Sequence, residues 1–275
     1  MKILYVSDLD GTLLNKDTKL TEYTIEELNK LIDSGLMFTY ATARSYNSAK
    51  VVSEGLNIKY PVILCNGVKI YDTNLKKTIY STFFNDNDIA FVKAISKRYD
   101  NYPILYQTKD DIDKFYYVEY NISDGKRYYL DKRVSDKRLT ISPSIDELFS
   151  HDCIYYFNFI DTYENLKPIY DDLKDHFRCV FQQEIYRSEY WLEVLPNNSD
   201  KGHTLKMLKK MLNVDKIIYF GDSVNDIEAF KASNLCYAVS NSKEELKPYA
   251  NEIIGSNDDD GVVKKIKEMY KNESF

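Results

Sequence analysis

The sequence predicts an α/β protein with a doubly wound, mainly parallel sheet core and an inserted α+β domain. The first 82 residues repeat an apolar run, a polar turn and a helical pattern, which is typical of strand–helix units in a parallel sheet. The same order returns after residue 190. Between them, at 83–190, aromatic strand-like runs alternate with helical stretches. We therefore expect a core made of residues 1–82 and 191–275, interrupted by a second domain at 83–190.

The core is expected to begin with a strand at residues 3–7, where the first apolar run lies. A helix should start near Thr21, because apolar residues then recur at helical spacing and Gly35 stands where such a helix would end. The next apolar runs, at 37–41 and 62–65, predict two further strands.

A hairpin is expected at Asn66 and Gly67, a dipeptide typical of tight turns, which leads into the apolar run 68–71. The inserted domain should contain helices near 86–98 and 163–176. Its aromatic runs at 115–120 and 154–160 predict strands.

After the insertion the pattern predicts a helix at 201–212, a strand at 217–220 and a helix that begins near Ser223. A last short apolar run lies at 236–239. These elements would complete the core sheet that the first 82 residues begin.

Charge and composition exclude several classes of function. A net charge of −6 argues against nucleic acid or an anionic membrane as the main partner, since both favour a basic surface. The chain has no apolar run long enough to span a membrane, and its first residues indicate a strand rather than a leader, so we expect a cytoplasmic protein. Its oligomeric state, monomer or dimer, is left open.

The strongest chemical signal is Asp8-Leu9-Asp10-Gly11-Thr12, directly after the first predicted strand. Residues two apart in an extended segment point the same way, so both carboxylates can face one pocket at the strand's carboxyl end. Two close carboxylates repel each other unless a cation lies between them, and oxygen ligands suit Mg²⁺. Aspartate and glycine are also common turn residues, so an ordinary turn remains an alternative.

A second acidic segment, Gly221 to Asp226, follows another apolar run and opens a helix. Ser223 and Asp226 have the spacing of a helix-capping pair, which is a purely structural alternative. That alternative leaves Asp222 and Asn225 without a role, whereas a metal site gives them one.

With these motifs the chain resembles the haloacid dehalogenase (HAD) superfamily, in particular Cof-type hydrolases with a type IIB cap. The resemblance rests on four short motifs in the family's order: Asp8 to Thr12, a segment ending at Thr42, Lys201-Gly202, and Gly221 to Asp226. The insertion between the second and third has the size of a cap domain. The resemblance implies a Rossmann-like HAD core and a phosphoric monoester hydrolase.

By this resemblance Asp8 would be the nucleophile and Asp10 the general acid and base. Asp8, Asp222 and the backbone carbonyl of Asp10 would hold Mg²⁺. Asp226 and Asn225 would lie close behind these ligands, where they would order the site and hold Lys201.

The resemblance also implies the residues that contact substrate. Thr42 and Lys201 would bind the oxygens of the transferred phosphoryl group, and Asn66, Gly67 and Asn225 would lie near the substrate phosphate.

One departure from the family pattern is Ala43, since relatives usually have Thr-Gly-Arg where this chain has Thr42-Ala43-Arg44. Alanine would strain a position that needs positive φ but would be harmless in a helical one. The placement of Arg44 is therefore open: it would either contact substrate or pair with a carboxylate.

We accordingly expect a Mg²⁺-dependent phosphatase that hydrolyses a small phosphorylated metabolite, a sugar phosphate or a phosphorylated cofactor, through an aspartyl phosphate. A phosphomutase or phosphotransferase would use the same intermediate and remains an alternative. A non-catalytic regulatory protein on the same scaffold is a third possibility, against which the full set of carboxylates argues.

Overall fold

The fold is that of a computed structural model, which describes residues 1–109, 112–183 and 188–273 and side chains as far as residue 270. The strands, in chain order, are β1 Ile3–Ser7, β2 Met37–Tyr40, β3 Val62–Leu64, β4 Lys69–Asp72, β5 Lys77–Ser81, β6 Ile104–Lys109, β7 Ile112–Val118, β8 Leu139–Ser142, β9 Ile154–Asp161, β10 Arg178–Gln183, β11 Tyr190–Leu195, β12 Lys216–Gly221, β13 Leu235–Val239 and β14 Glu252–Ile254. The α-helices are α1 Glu22–Asp33, α2 Tyr46–Val52, α3 Asp86–Arg98, α4 Asp124–Asp131, α5 Ile145–Leu148, α6 Tyr163–Leu173, α7 Lys201–Leu212, α8 Ile227–Ala232 and α9 Gly261–Glu273.

The chain divides into two compact units, residues 1–81 with 199–275 and residues 82–198. Strand β11 belongs to the second unit, because it pairs with β10 on one side and β9 on the other. The second join therefore lies after residue 198 rather than after residue 190.

The first unit is built on a five-stranded sheet of order β14-β13-β12-β1-β2, in which every pairing is parallel. Strand β1 lies between β12 and β2, so the chain leaves β1 to one side and later returns on the other. Such a switch point places the carboxyl ends of neighbouring strands around one crevice. The expected doubly wound α/β fold is confirmed.

Both faces of this sheet are covered by apolar side chains that alternate along the strands. In β1, Tyr5 packs with α1 and α9, whereas Leu4 and Val6 pack with α7 and α8. The alternation follows from the two-residue period of a strand. Helix α7 is thereby held against the sheet with its first residue, Lys201, fully buried.

The predicted hairpin at Asn66-Gly67 is confirmed, since β3 and β4 are antiparallel. The connection is longer than a two-residue turn: a short 3₁₀ segment spans Cys65–Gly67, and all three residues have positive φ. The predicted helix after Thr21 is also confirmed, and the Thr21 hydroxyl accepts the N–H of Thr24 as an N-cap.

The second unit is a six-stranded sheet of order β10-β11-β9-β6-β7-β8 with its own apolar core. Helices α3 and α6 contribute to that core through Val92, Ile95, Leu166 and Ile169. Among the described residues, every helix of the chain is too short or too polar to cross a bilayer.

Candidate active site

The site begins where β1 and β12 end side by side. Ser7 is in register with Phe220, and the N–H of Asp8 donates to the Phe220 carbonyl over 2.9 Å. Asp8 therefore follows β1 just as Asp222 follows β12. Asp8 is only 4% exposed, so its carboxylate is a buried anion that needs partners.

Lys201 supplies one partner. Its Nζ lies 3.0 Å from Oδ1 of Asp8 and 2.8 Å from Oδ1 of Asp226. The lysine is fully buried. Taken by itself in the sequence, Lys201 would be an ordinary lysine at the start of a helix. In the structure it is the cation at the centre of the site.

Asp226 uses both of its oxygens to hold the site together. Besides Lys201, its Oδ1 accepts the Tyr219 hydroxyl over 2.8 Å, and its Oδ2 accepts the N–H groups of Asp222 and Ser223 at 3.1 and 3.2 Å. The expected role in ordering the site and holding Lys201 agrees with these contacts. The helix-capping alternative is also partly correct, because the Ser223 N–H is one of the donors.

Asp222 faces the turn that follows Asp8. The Thr12 hydroxyl donates to Oδ1 of Asp222 over 3.1 Å. Gly11 has φ of +71°, and a Cβ placed there would lie 2.5 Å from Oδ2 of Asp222. Glycine is therefore required at Gly11 both by backbone conformation and by the approach of Asp222.

The carboxylates of this cluster lie close together and are largely buried, and both conditions shift the pKa values of Asp8 and Asp222. Burial raises the pKa of Asp8 well above its usual value; Lys201 opposes the rise, and the carboxylates of Asp226 and Asp222 add to it. Burial, followed by the charge of Asp226, raises the pKa of Asp222 to about 6. For Lys201 burial acts to lower the pKa, but Asp226 and Asp8 outweigh it and the pKa rises.

The residues present fit a divalent cation. One carboxylate oxygen from each of Asp8, Asp222 and Asp226 lies within 4.8 Å of the others. An all-oxygen donor set of this kind suits Mg²⁺, and one lysine does not neutralise three carboxylates. Because the oxygens of Asp226 are already engaged, Asp8 and Asp222 are the better ligands of the three.

Arg44 pairs with Asp10. Its Nε and Nη2 donate to Oδ2 and Oδ1 of Asp10 over 2.7 and 2.5 Å, which is a two-bond fork. Of the two roles that the sequence leaves open for Arg44, the structure shows the pairing with a carboxylate, and contact with substrate stays a prediction. Ala43 is not among the described residues with positive φ, so it replaces the family's glycine without backbone strain.

Thr42 and Asn66 connect the neighbouring loops. Thr42 is fully buried, its hydroxyl accepts the N–H of Arg44 over 3.1 Å, and its carbonyl accepts the N–H of Asn66 over 3.0 Å. Nδ2 of Asn225 donates to Oδ1 of Asn66 over 3.0 Å. Oδ1 of Asn225 is buried and has no hydrogen-bond partner within the part of the chain that the structure describes. That oxygen can accept a hydrogen bond from a ligand.

Gly67 and Lys201 come together because two loops approach closely. A Cβ on Gly67 would lie 2.3 Å from the backbone of Asp200, and Gly67 has φ of +97°. The Thr204 hydroxyl also donates to the Gly67 carbonyl over 2.5 Å. The role of Gly67 shown here is to allow this approach.

Sequence reasoning missed three supporting residues, Thr12, Tyr219 and Ser48. Thr12 stands within the first motif, so its position was the available signal. Tyr219 and Ser48 belong to an apolar strand and a polar helix start. Their contacts with Asp226 and Arg44 depend on tertiary packing that no local pattern displays.

The fold and this cluster define an α/β enzyme whose acidic centre, at the carboxyl ends of two parallel strands, suits a divalent cation and an anionic ligand. The haloacid dehalogenase-like hydrolase family matches residues 5–266, and the chain belongs to that family.

Similar proteins agree with this assignment. A protein of Buchnera aphidicola named as a phosphatase is 29% identical over 291 residues, covering 98% of this chain and 99% of the relative. The 5-amino-6-(5-phospho-D-ribitylamino)uracil phosphatase YitU of Bacillus subtilis is 24% identical, with 97% of each chain covered. The expected classification as a HAD-like phosphatase is confirmed.

Solved structures confirm the fold. A Thermotoga maritima protein superposes with a TM-score of 0.76 at 24% identity, covering 97% of each chain. A phosphatase of the haloalkanoate superfamily from Bacteroides thetaiotaomicron gives a TM-score of 0.77 at 20% identity, covering 98% of this chain and 94% of that one.

Proposed function

We propose that the protein is a Mg²⁺-dependent phosphatase that hydrolyses a small phosphorylated metabolite through an aspartyl phosphate on Asp8. The observation that carries the proposal is the buried ion pair between Asp8 and Lys201, beside Asp222 at the end of the neighbouring strand. It joins a carboxylate nucleophile to a cation that can also bind a phosphoryl oxygen.

In the first step Oδ2 of Asp8, the oxygen not held by Lys201, attacks phosphorus. The bond between phosphorus and the ester oxygen breaks, and Asp10 gives its proton to that leaving oxygen. Lys201 and the Thr42 hydroxyl hold the equatorial phosphoryl oxygens, whose charge must be neutralised in the transition state.

In the second step Asp10 accepts a proton from water as the water oxygen attacks phosphorus. The bond from phosphorus to Asp8 breaks, which releases inorganic phosphate and restores the Asp8 carboxylate. Mg²⁺, held by the carboxylates of Asp8 and Asp222 and the Asp10 carbonyl, would supply positive charge beside the transferred group.

The second unit, residues 82–198, is proposed to act as a cap that selects the organic part of the substrate, as the type IIB resemblance implies. Two Bacillus subtilis relatives are named as 5-amino-6-(5-phospho-D-ribitylamino)uracil phosphatases, at 24% and 26% identity. That ester therefore comes first in the candidate substrates, followed by sugar phosphates and phosphorylated cofactors.

The test is a phosphate-release screen over such esters, with and without Mg²⁺, for the wild type, Asp8→Asn and Asp33→Asn. Asp33 is an exposed aspartate whose contact is a surface pair with Lys59, so its variant controls for the loss of a carboxylate. We expect Mg²⁺-dependent release by the wild type and by Asp33→Asn only. Turnover by Asp8→Asn close to that of the wild type would show that Asp8 is not the nucleophile.

A further inference from the structure

The turn that follows the proposed nucleophile is held from outside by the loop that comes after β13. Nδ2 of Asn241, in that loop, donates to the Gly11 carbonyl over 2.8 Å. Two residues further along, the N–H of Lys243 donates to the Asp222 carbonyl over 2.7 Å. One short loop therefore binds both of the chain segments that supply the expected ligands of the cation.

We propose that Asn241 is a positioning residue of the metal site, which fixes the turn after Asp8 at the distance from Asp222 that a bound divalent cation requires. The inference deepens the proposed function and rests on it, because it takes Asp8 and Asp222 as ligands of Mg²⁺. Asn241 itself would not touch the cation, since both ends of its amide group have partners in the protein.

The two partners of Asn241 are backbone groups, and they fix the orientation of its amide. Oδ1 of Asn241 accepts the N–H of Asn257 over 3.0 Å, so Nδ2 must be the atom that faces the Gly11 carbonyl. A backbone N–H can only donate a hydrogen bond and a carbonyl can only accept one. The asparagine amide offers both functions, whereas an aspartate carboxylate of the same size offers acceptors alone.

Asn257 extends this support to the far end of the turn. Its Nδ2 donates to the Leu14 carbonyl over 2.8 Å. The N–H of Leu14 in turn donates to the Leu9 carbonyl over 2.8 Å, which closes the turn. Asn257 is buried and begins a short 3₁₀ segment before α9. The two asparagines thus hold the turn at Gly11 and at Leu14.

The turn needs such support because its own conformation is irregular. Asp10 is extended (φ −68°, ψ 128°) and Gly11 has φ of +71°, so the centre of the turn is not helical. The Thr12 hydroxyl joins the turn to Asp222 over 3.1 Å. Mg²⁺ demands near-ideal octahedral geometry, so its ligands must keep their spacing. Loss of Asn241 should therefore weaken binding of the cation although every proposed ligand is still present.

The experiment measures the dissociation constant of Mg²⁺ for the substrate-free protein by calorimetry, together with the melting temperature in EDTA. For Asn241→Ala we expect Mg²⁺ to bind about tenfold more weakly. Asn241 is exposed, so the variant should fold and its melting temperature in EDTA should fall only slightly.

Asn257→Ala tests the second half of the support. The variant keeps the backbone N–H that donates to Asn241 and loses the bond from Nδ2 to the Leu14 carbonyl. Because only one of the two supports is removed, we expect a smaller change, a dissociation constant for Mg²⁺ about threefold above that of the wild type.

Asn251→Ala is the matched control. Oδ1 of Asn251 accepts the N–H of Cys236 over 2.8 Å, at the amino end of β13, whereas Asn241 follows the carboxyl end of the same strand. The control therefore loses a hydrogen bond between an asparagine side chain and the backbone, away from the site. We expect a lower melting temperature and an unchanged dissociation constant for Mg²⁺.

A dissociation constant in Asn241→Ala close to that of the wild type would overturn the inference and leave the proposed function standing. Equal weakening in Asn241→Ala and Asn251→Ala would also overturn it, because a general loss of stability would then explain the effect. If Asn241→Ala does not fold, Asn257→Ala decides, and an unchanged constant in that variant overturns the inference. A wild type that does not bind Mg²⁺ would refute the metal site of the proposed function, and the inference would fail with it.

Discussion

Lys201 is the cation that forms ion pairs with both Asp8 and Asp226, so it compensates part of their negative charge. A buried ion network gains little net stability over apolar packing, but removing one member leaves an uncompensated buried charge. Net stability is therefore a poor explanation for this network, which is instead consistent with the catalytic roles proposed for Asp8 and Lys201.

We expect Lys201→Met to lower the free energy of unfolding by about 3 to 5 kcal/mol at neutral pH, because two buried carboxylates lose their cation. It should also abolish phosphate release. Urea unfolding followed by circular dichroism measures the first effect. Lys206→Met, an exposed lysine on the same helix, is the control and should change stability little. A loss below about 1 kcal/mol for Lys201→Met would contradict the assigned burial of charge.

Burial raises the pKa of Asp222 to about 6. This shift predicts the direction in which the stability that Asp222 contributes changes with pH. Between its usual value of 3.8 and about 6 Asp222 binds more protons in the folded protein than in the unfolded chain, so the contribution of this group to the stability of the metal-free protein falls as pH rises through this window. Mg²⁺ needs the ionised carboxylates, so its binding must expel these protons.

Mg²⁺ should accordingly raise the melting temperature strongly at pH 7.5 and weakly at pH 5. Thermal unfolding with and without the ion at both pH values measures this difference. Asp222→Asn should show little Mg²⁺ effect at either pH. A Mg²⁺-induced shift that is as large at pH 5 as at pH 7.5 would contradict a site made of these carboxylates.

At the scale of elements, the contact between α7 and α8 determines where Lys201 lies. A Cβ on Gly202 would come within 2.1 Å of the Glu228 carbonyl oxygen in α8, a distance that only movement of a helix can relieve. Because Gly202 follows Lys201 directly, any such movement displaces the cation from Asp8.

We expect Gly202→Ala to destabilise the protein by about 1 to 3 kcal/mol and to lower kcat. Gly255→Ala is the control, since its Cβ would meet the nearest heavy atom, Cα of Gly261, at 3.4 Å. Unfolding curves and turnover of both variants measure the effects. Wild-type stability and turnover in Gly202→Ala would show that the helices are not packed this closely.

Elements with a strong local pattern were predictable. The helix after Thr21 and the hairpin at Asn66-Gly67 follow from spacing and turn chemistry, and both were confirmed. The three consecutive positive φ values at Cys65–Gly67 were not predictable, because they depend on bonds to Thr42 and Arg44 from another loop.

At the scale of the molecule, the second unit has its own buried core in residues 82–198. We expect this fragment, expressed alone, to unfold in a single cooperative transition in urea, because its sheet and helices bury their apolar faces within the unit. Phe157→Ala, at a fully buried core position, should abolish or greatly weaken that transition. A gradual, non-cooperative change in the fragment itself would contradict an independent core.

The sequence could indicate which residues belong to the site but not how they are joined. Asp8, Asp222 and Lys201 stand in short motifs, and the motif order suggested a shared site. The Thr12 contact to Asp222 spans 210 residues and was invisible to local patterns. The pairing of β11 within the second unit was also not predictable, because the sequence of an apolar strand does not indicate which strand it pairs with.

Chemical trapping can show whether an aspartyl phosphate forms on Asp8. Enzyme quenched during turnover with Mg²⁺ and a substrate is reduced with borohydride, which converts an acyl phosphate to an alcohol, and the modified residue is located by peptide mass spectrometry. We predict modification at Asp8 and none in Asp8→Asn. Modification at Asp10 or Asp222 instead, or steady turnover with no modified residue, would show that Asp8 is not the residue that is phosphorylated.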